Sequence, residues 1–503
     1  MFKKYFNMIY IIIVILPFYF FIRDFLNFKE INNILTKETL ELVFFTLKQS
    51  LISSFFAFLV AILPAKYIQN NSNILSKFLK YTNFIPFFFP VISLITVFSY
   101  IFSDKILGKF SIMYTFKIIV IAHVFYNSPI FVNYISNALR KISKSVSEAA
   151  LLDIRNKVKI FFFVELRIIS PQIFKAFILV FTYCFLSFGI ILSLGGIKFH
   201  NLEVEIASSF RGNFNLSYAI FLSLLQFIIL SIVNMFGKFI KEYDLEYDEQ
   251  NKENNIIVTI FSILYLVFEY FILISSIIFS FYNYFSNKFT IQAYFNIFSA
   301  TFNEKFPILQ SLINSFTVSF LVSIIVVIIT YLLIVNYNKT TEVFLFSNMG
   351  ISSAFLAITL YYMNVLFNIP FYYLLIFGYV VNNIPISFSL MYNGAKNFPN
   401  YINDIAIMDT ESKLKRFYYI RLKLLFPILI SSFLQVFAVA FGEFTIAYAM
   451  QIEDFLPLAS IMNYNMVAQK YYLESSAFST VMLLIVFSCF ILGEYLKSYN
   501  KFD

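Results

Sequence analysis

SLINSFTVSFLVSIIVVIITYLLIV, residues Ser311 to Val335, runs for 25 residues without one Asp, Glu, Lys or Arg. Coiled into a helix at about 1.5 Å per residue, it outreaches the roughly 30 Å hydrocarbon core of a bilayer. A run that long and that apolar reads as a membrane span. Eleven further runs flank it: Met8 to Ile22, Leu51 to Ala65, Phe84 to Phe102, Ile118 to Ala138, Phe174 to Leu194, Ser217 to Gly237, Ile256 to Tyr282, Val343 to Phe367, Phe371 to Tyr392, Ile428 to Met450 and Ser476 to Leu496. Across all 503 residues, 60% are hydrophobic, 21% aromatic and only 13% charged. A soluble fold of that composition would expose more apolar surface than water tolerates. The expected fold class is all-α, a polytopic membrane protein of about twelve transmembrane helices.

The runs fall into two sets of six. Residues 1–241 form the expected first half and 256–503 the second. The polar, acidic stretch EYDLEYDEQNKENN (Glu242 to Asn255) between them reads as a solvated linker. An even number of spans per set gives both halves the same sense in the membrane. The first run follows Lys3 and Lys4 as a signal peptide would, but no small-x-small cleavage site follows, so a first spanning helix is expected.

The net charge of +9 might suggest nucleic acid, but its placement argues otherwise. With both termini inside, the inner segments carry 24 of the 37 Lys and Arg, the outer loops 11, and Lys48 and Lys175 sit near helix ends. This is the positive-inside asymmetry, with the basic charge facing cytoplasm and lipid headgroups. The expected location is a bacterial cytoplasmic (inner) membrane, multi-pass, with no nucleic-acid partner. Cys184 and Cys489 lie inside apolar runs, where they read as small buried hydrophobes.

At a fixed offset of 256 the halves repeat: Asn127 meets Asn383, Pro129 meets Pro385, Asp153 meets Asp409, Leu166 meets Leu422 and Pro171 meets Pro427. The best match lies between the fourth and fifth spans of each half, SEAALLDIRNKVKIFFFVELRIISPQI (147–173) against NDIAIMDTESKLKRFYYIRLKLLFPIL (403–429). Each opens with Ser or Asn before an acid, which suits a helix N-terminus, and continues with apolar residues among Lys and Arg. Lipid binding alone would explain an interfacial helix. It does not explain a copy at the same place in each half, which points instead to a docking element for a partner on the inner side.

These two segments resemble the EAA loop of binding-protein-dependent ABC importer permeases, whose pattern is Glu-Ala-Ala, three residues, Gly, nine residues, Ile-x-Leu-Pro. In the first copy Glu148, Ala149 and Ala150 match, Asp153 precedes Ile154 at the Gly position, and Val164, Leu166 and Arg167 stand for Ile, Leu and Pro. In the second, Asp404, Ile405 and Ala406 stand for Glu-Ala-Ala, Asp409 precedes Thr410 at the Gly position, and Ile420, Leu422 and Lys423 follow. Without Gly at Ile154 and Thr410, the bend between the two short helices of the loop must be made differently. AHVFYNSPIFVNYISNAL (Ala122 to Leu139) and SFGIILSLGGIKFHNLEVEI (Ser187 to Ile206) resemble fused, tandem permeases of thiamine and iron(III) uptake, closer to the thiamine type. The resemblance implies a type I importer architecture, two copies of a cytosolic ABC ATPase on the docking loops, and an extracytoplasmic solute-binding protein on the outer face. Loops such as Gly195 to Asn215 and Gln451 to Ser475 would receive that protein.

The chain itself shows no catalytic apparatus. Eleven glycines include no GxxxxGK[ST] loop, so ATP and Mg belong to a separate subunit and no cofactor is expected here. There is no HExxH, no metal-ligand cluster and no Ser/His/Asp set, and the chain is not expected to be an enzyme. His123, Glu269 and Glu443 fall within apolar runs, where an ionisable group costs roughly 2.5 to 3.5 kcal/mol, so each is a candidate for the pathway or for a buried partner. A packing role competes for His123, a neighbouring-helix bond for Glu443. A carboxylate at Glu443 would suit a cationic solute. The rival function is an ion-gradient-driven secondary transporter of twelve helices. That class needs no paired docking elements and carries more intramembrane charge. A membrane enzyme or scaffold lacks a site to support it.

Overall fold

A computed structural model describes residues 2–26, 36–103, 108–154, 156–196, 198–212, 214–238, 255–283, 286–396, 412–453 and 455–497. Almost every described element is a helix; one hairpin pairs Tyr282–Asn283 with Lys288–Phe289. Among the described residues nine helices are long and apolar enough to cross a bilayer, and eleven if two helix pairs bent by 94° (Ile74–Phe88 with Val91–Ile101) and 70° (Val158–Ile168 with Ser170–Phe185) each count as one span. The expected span Val343 to Phe367 is divided. Helix Lys339–Asn348 ends, and Ser352 caps a new helix, Ser353–Phe367, by accepting the Phe355 N–H at 2.9 Å. At 15 residues that helix falls short of a full span. Of the expected linker only Asn255 is described, as the N-cap of helix Ile256–Phe279.

The outward faces carry exposed Ile260, Phe261, Leu264, Val267, Phe271 and Ile274 on helix Ile256–Phe279 alone. Such a stripe is tolerable only against lipid. Inward, helices Lys37–Asn70 and Ile308–Val335 present small residues: Ser50, Ser53, Ser54, Ala57 and Ala61 on one, Ser311, Ser315, Ser319 and Ser323 on the other, all buried. Small side chains let helix backbones approach closely where no hydrophobic effect drives association. Several of their hydroxyls turn back to the carbonyl four residues earlier, as Ser50 to Thr46 at 2.7 Å, Ser54 to Ser50 at 2.7 Å and Ser323 to Ser319 at 2.6 Å.

The 256-residue repeat is visible in the backbone. Asn127 donates to the His123 carbonyl at 2.9 Å and Asn383 to that of Tyr379 at 2.8 Å, each two residues before a proline within the helix. Pro385 has no N–H for the Val381 carbonyl, and Asn348 supplies a donor at 3.1 Å. Most telling is the docking region. A four-residue α-helix, Lys157–Ile160, widens into a π-turn at Phe161–Glu165, and Lys413–Arg416 widens into another at Phe417–Leu422. π-Turns are rare enough that two at one offset mark a shared ancestor geometry.

The first helix of each half leans on the other half. Phe2–Phe25 packs against Ser353–Phe367, with Phe21 beside Phe355 at 5.8 Å and Tyr362 at 5.5 Å, and Asn7 donates to the Asn336 carbonyl at 2.8 Å. Helix Ile256–Phe279 packs against Lys37–Asn70, and its Tyr265 donates to Asn83 at 2.9 Å.

Candidate translocation pathway and docking element

The halves meet around a vestibule of about 620 Å³ whose wall includes Arg140, just past helix Phe116–Leu139. The first half supplies Asn83, Asn133, Asn137, Arg140 and Tyr183 to its wall, and the second supplies Ser389, Gln435 and Glu494 among others. Glu494 accepts from Gln435 Nε2 at 2.9 Å, and Gln435 in turn reaches Ser431 at 3.3 Å. Aromatic rings (Tyr81, Phe84, Phe87, Phe88, Phe490) complete the lining. The space is a polar and aromatic chamber shared by both halves, the arrangement expected of a solute pathway at a repeat interface.

A second meeting of the halves is a ring cluster. Helix Ser170–Phe185 ends, the chain turns, and short helix Gly189–Leu194 begins; likewise Lys423–Phe441 ends and Thr445–Ala449 begins. The turns carry Phe188 and Phe444, which occupy one position of the 256-residue repeat, and their rings meet 6.0 Å apart. The pseudo-twofold axis therefore passes between them. Gly189 lies beside this contact: a Cβ there would crowd Val91 at 3.0 Å and touch the Phe444 ring at 3.5 Å, an ordinary contact. Tyr448 and Tyr464 extend the cluster, at 5.0 and 5.2 Å from Phe444, and Tyr448 lies 5.6 Å from Phe188.

Beyond the cluster, stretches expected to be open outer loops are largely buried helices. In Leu202–Arg211, residues Leu202, Glu203, Val204 and Ile206 are buried, as are Ala459, Ser460, Ile461 and Met462 in Ala459–Ala468. Apolar residues at i, i+2 and i+4 around buried polar ones pack all round the helix, which hydropathy alone does not separate from a loop. Gly196 turns the chain before them at φ +61°, beside Tyr114. Glu203, with no exposed surface, accepts the Ala354 N–H at 2.9 Å and Gln226 Nε2 at 2.7 Å. A carboxylate of the first half thus caps the positive end of a helix of the second.

The three ionisable residues singled out in the sequence line neither chamber nor cluster together. His123 is buried, its Nδ1 3.1 Å from Ser53 Oγ, and its Nε2 has no partner among the described residues. Glu269 is buried beside Tyr265 and Ser128, with Oε1 unpartnered among the described residues. Glu443 holds the Ile446 N–H with both oxygens, at 3.1 and 3.2 Å, and so caps Thr445–Ala449 directly behind Phe444. Sequence reading passed over Glu494, Gln435, Phe188 and Phe444. The offset of 256 aligns the last two and was the signal available to find them.

The helix of the expected docking segment begins one turn earlier than Ser147: Ser143 precedes helix Lys144–Asp153. Glu148, Ala149 and Asp153 are exposed, Ala150 partly so, and Leu152 is 87% exposed. Ile154, at the Gly position, leaves the helix at φ −126°, ψ 101°. That is extended backbone open to any residue, so the bend needs no glycine. In the second copy Asp404, Ala406, Asp409 and Thr410 lie outside the described residues. Behind the first element, Glu165 of the π-turn is hydrogen-bonded and ion-paired to Lys66 near the end of helix Lys37–Asn70, and the Lys66 ammonium sits 5.3 Å over the Phe161 ring. The pair is nearly closed off, at 13% and 11% side-chain exposure.

No curated protein and no solved structure matches the chain. Residues 53–242, which hold the first expected docking element, most of the chamber wall and Phe188, match the family model described as binding-protein-dependent transport system inner membrane component, and the chain is a multi-pass membrane protein.

Proposed function

We propose that this chain holds both halves of the pathway of an ATP-driven importer. One observation carries the reading: both halves supply the wall of one polar and aromatic chamber, and the rings of equivalent residues of the two repeats, Phe188 and Phe444, meet 6.0 Å apart. Two ATPase subunits would seat on the elements at 147–173 and 403–429, both on the cytoplasmic side with the two termini. Their closure would displace the halves as rigid bodies and part the ring cluster. Solute would arrive from an extracytoplasmic binding protein on the outer face. Aromatic rings and Glu494 favour an organic cation, thiamine or its phosphates before ferric iron.

The test is uptake of labelled thiamine, ferric iron and a polyamine into vesicles holding this chain, an ATPase and a binding protein encoded beside it, with and without ATP. Uptake that requires ATP and both partners supports the reading. Uptake by the chain alone along a proton or sodium gradient overturns it in favour of secondary transport.

A further inference from the structure

We infer that Arg211 is a one-sided latch that holds the ring cluster shut. It rests on the permease reading above but concerns a contact that the repeat does not explain. Arg211 ends helix Leu202–Arg211 in the first half, and three of its interactions cross to the second. Its Nη2 donates to Glu453 Oε1 at 2.8 Å, its Nη1 donates to the Tyr448 carbonyl, and its guanidinium lies 3.9 Å over the Tyr448 ring. A planar guanidinium can satisfy a carboxylate, a carbonyl and a ring face at once, which an ammonium cannot.

The ring it pins is part of the closure, since Tyr448 packs on Phe188, Phe444 and Tyr464. Release of Arg211 would free Tyr448 and loosen the contact between the halves at once. The latch has no mirror image. At the offset of 256 Arg211 meets Val467, and Tyr448 meets Leu192. A symmetric gate is thus fastened by an asymmetric clasp, its ion pair about a quarter exposed on each side (25% and 24%). That exposure suits a contact made and broken in each cycle better than a permanent buried bridge. Arg211 is a positioning residue, acting on the pathway through Tyr448.

The chain alone suffices for the test. In a Cys184→Ser, Cys489→Ser background in phosphatidylethanolamine and phosphatidylglycerol nanodiscs, spin labels at Lys198 and Gln469 report the outer separation of the halves. Labels at Asn137 and Ser389 report the chamber. Arg211→Ala and the milder Glu453→Gln should raise the population with a long outer and short chamber distance roughly tenfold or more. The double exchange Arg211→Glu with Glu453→Arg should restore much of the closed population, whereas Arg211→Glu alone should not. Closed distributions like wild type in both single variants, with melting temperatures unchanged, would overturn the latch while leaving the permease reading intact. If a variant fails to fold, the other and the exchange still decide the matter. Failure of ATP-dependent uptake in vesicles would strike the permease reading without touching these distances.

Discussion

Replacing Glu165 by Gln tests whether the docking element drives the membrane helices. The substitution keeps the side chain's shape and removes its charge, leaving the Lys66 ammonium against the Phe161 ring and the inner end of helix Lys37–Asn70. Breaking a fully buried pair by removing one partner costs about 3 to 5 kcal/mol. With 13% and 11% of the two side chains still in contact with solvent, the lower end, about 3 kcal/mol, applies here. That corresponds to about two powers of ten in the ratio of attached to detached element. The assay is solute moved per ATP hydrolysed in vesicles with the ATPase bound. The expected outcome is hydrolysis near the wild-type rate with transport reduced at least tenfold, and substantial recovery in Lys66→Glu with Glu165→Lys. A Glu165→Gln protein that keeps its solute-to-ATP ratio within twofold of wild type would refute the coupling.

Three further outcomes are expected. Glu203→Ala leaves the Ala354 N–H and Gln226 unpaired in a dry interface and should cost about 2 to 4 kcal/mol, read as a lowered unfolding temperature in detergent, with Glu203→Gln milder. Leu152→Glu changes an exposed side chain on the docking helix, so folding should be unaffected while co-purification of the ATPase falls at least tenfold. Glu443→Gln loses a carboxylate that caps a short helix, so a stability loss of about 1 kcal/mol with uptake reduced less than threefold is expected; a complete loss of uptake would place Glu443 in the solute path instead.

Much of the architecture could be read from the chain because a bilayer is a severe selector. Runs such as Ser311 to Val335 have no stable alternative to a spanning helix, and the structure places Ile308–Val335 there. What hydropathy could not supply was the shape of interrupted helices. The split at Asn348 to Ser352 and the turns at Phe188 and Phe444 depend on capping side chains and on neighbours from the other half, which no run of hydropathy records. The site was legible only where it was linear. The first expected docking segment spans a few consecutive turns, and the structure gives it a helix, Lys144–Asp153, that ends at an extended Ile154 without a glycine. The chamber draws Asn83, Gln435 and Glu494 from remote parts of the chain. Reading intramembrane charge as pathway drew attention to His123 and Glu269, which lie buried among helices instead.

The crossed first helices bear on how this protein is made. Phe2–Phe25 leaves the ribosome well before the surface that receives Phe21, around Phe355 and Tyr362, which is synthesised more than 300 residues later. Until then that helix waits in lipid without those partner rings. Fragments severed between residues 238 and 255 would each lack a packing surface that only the other can provide.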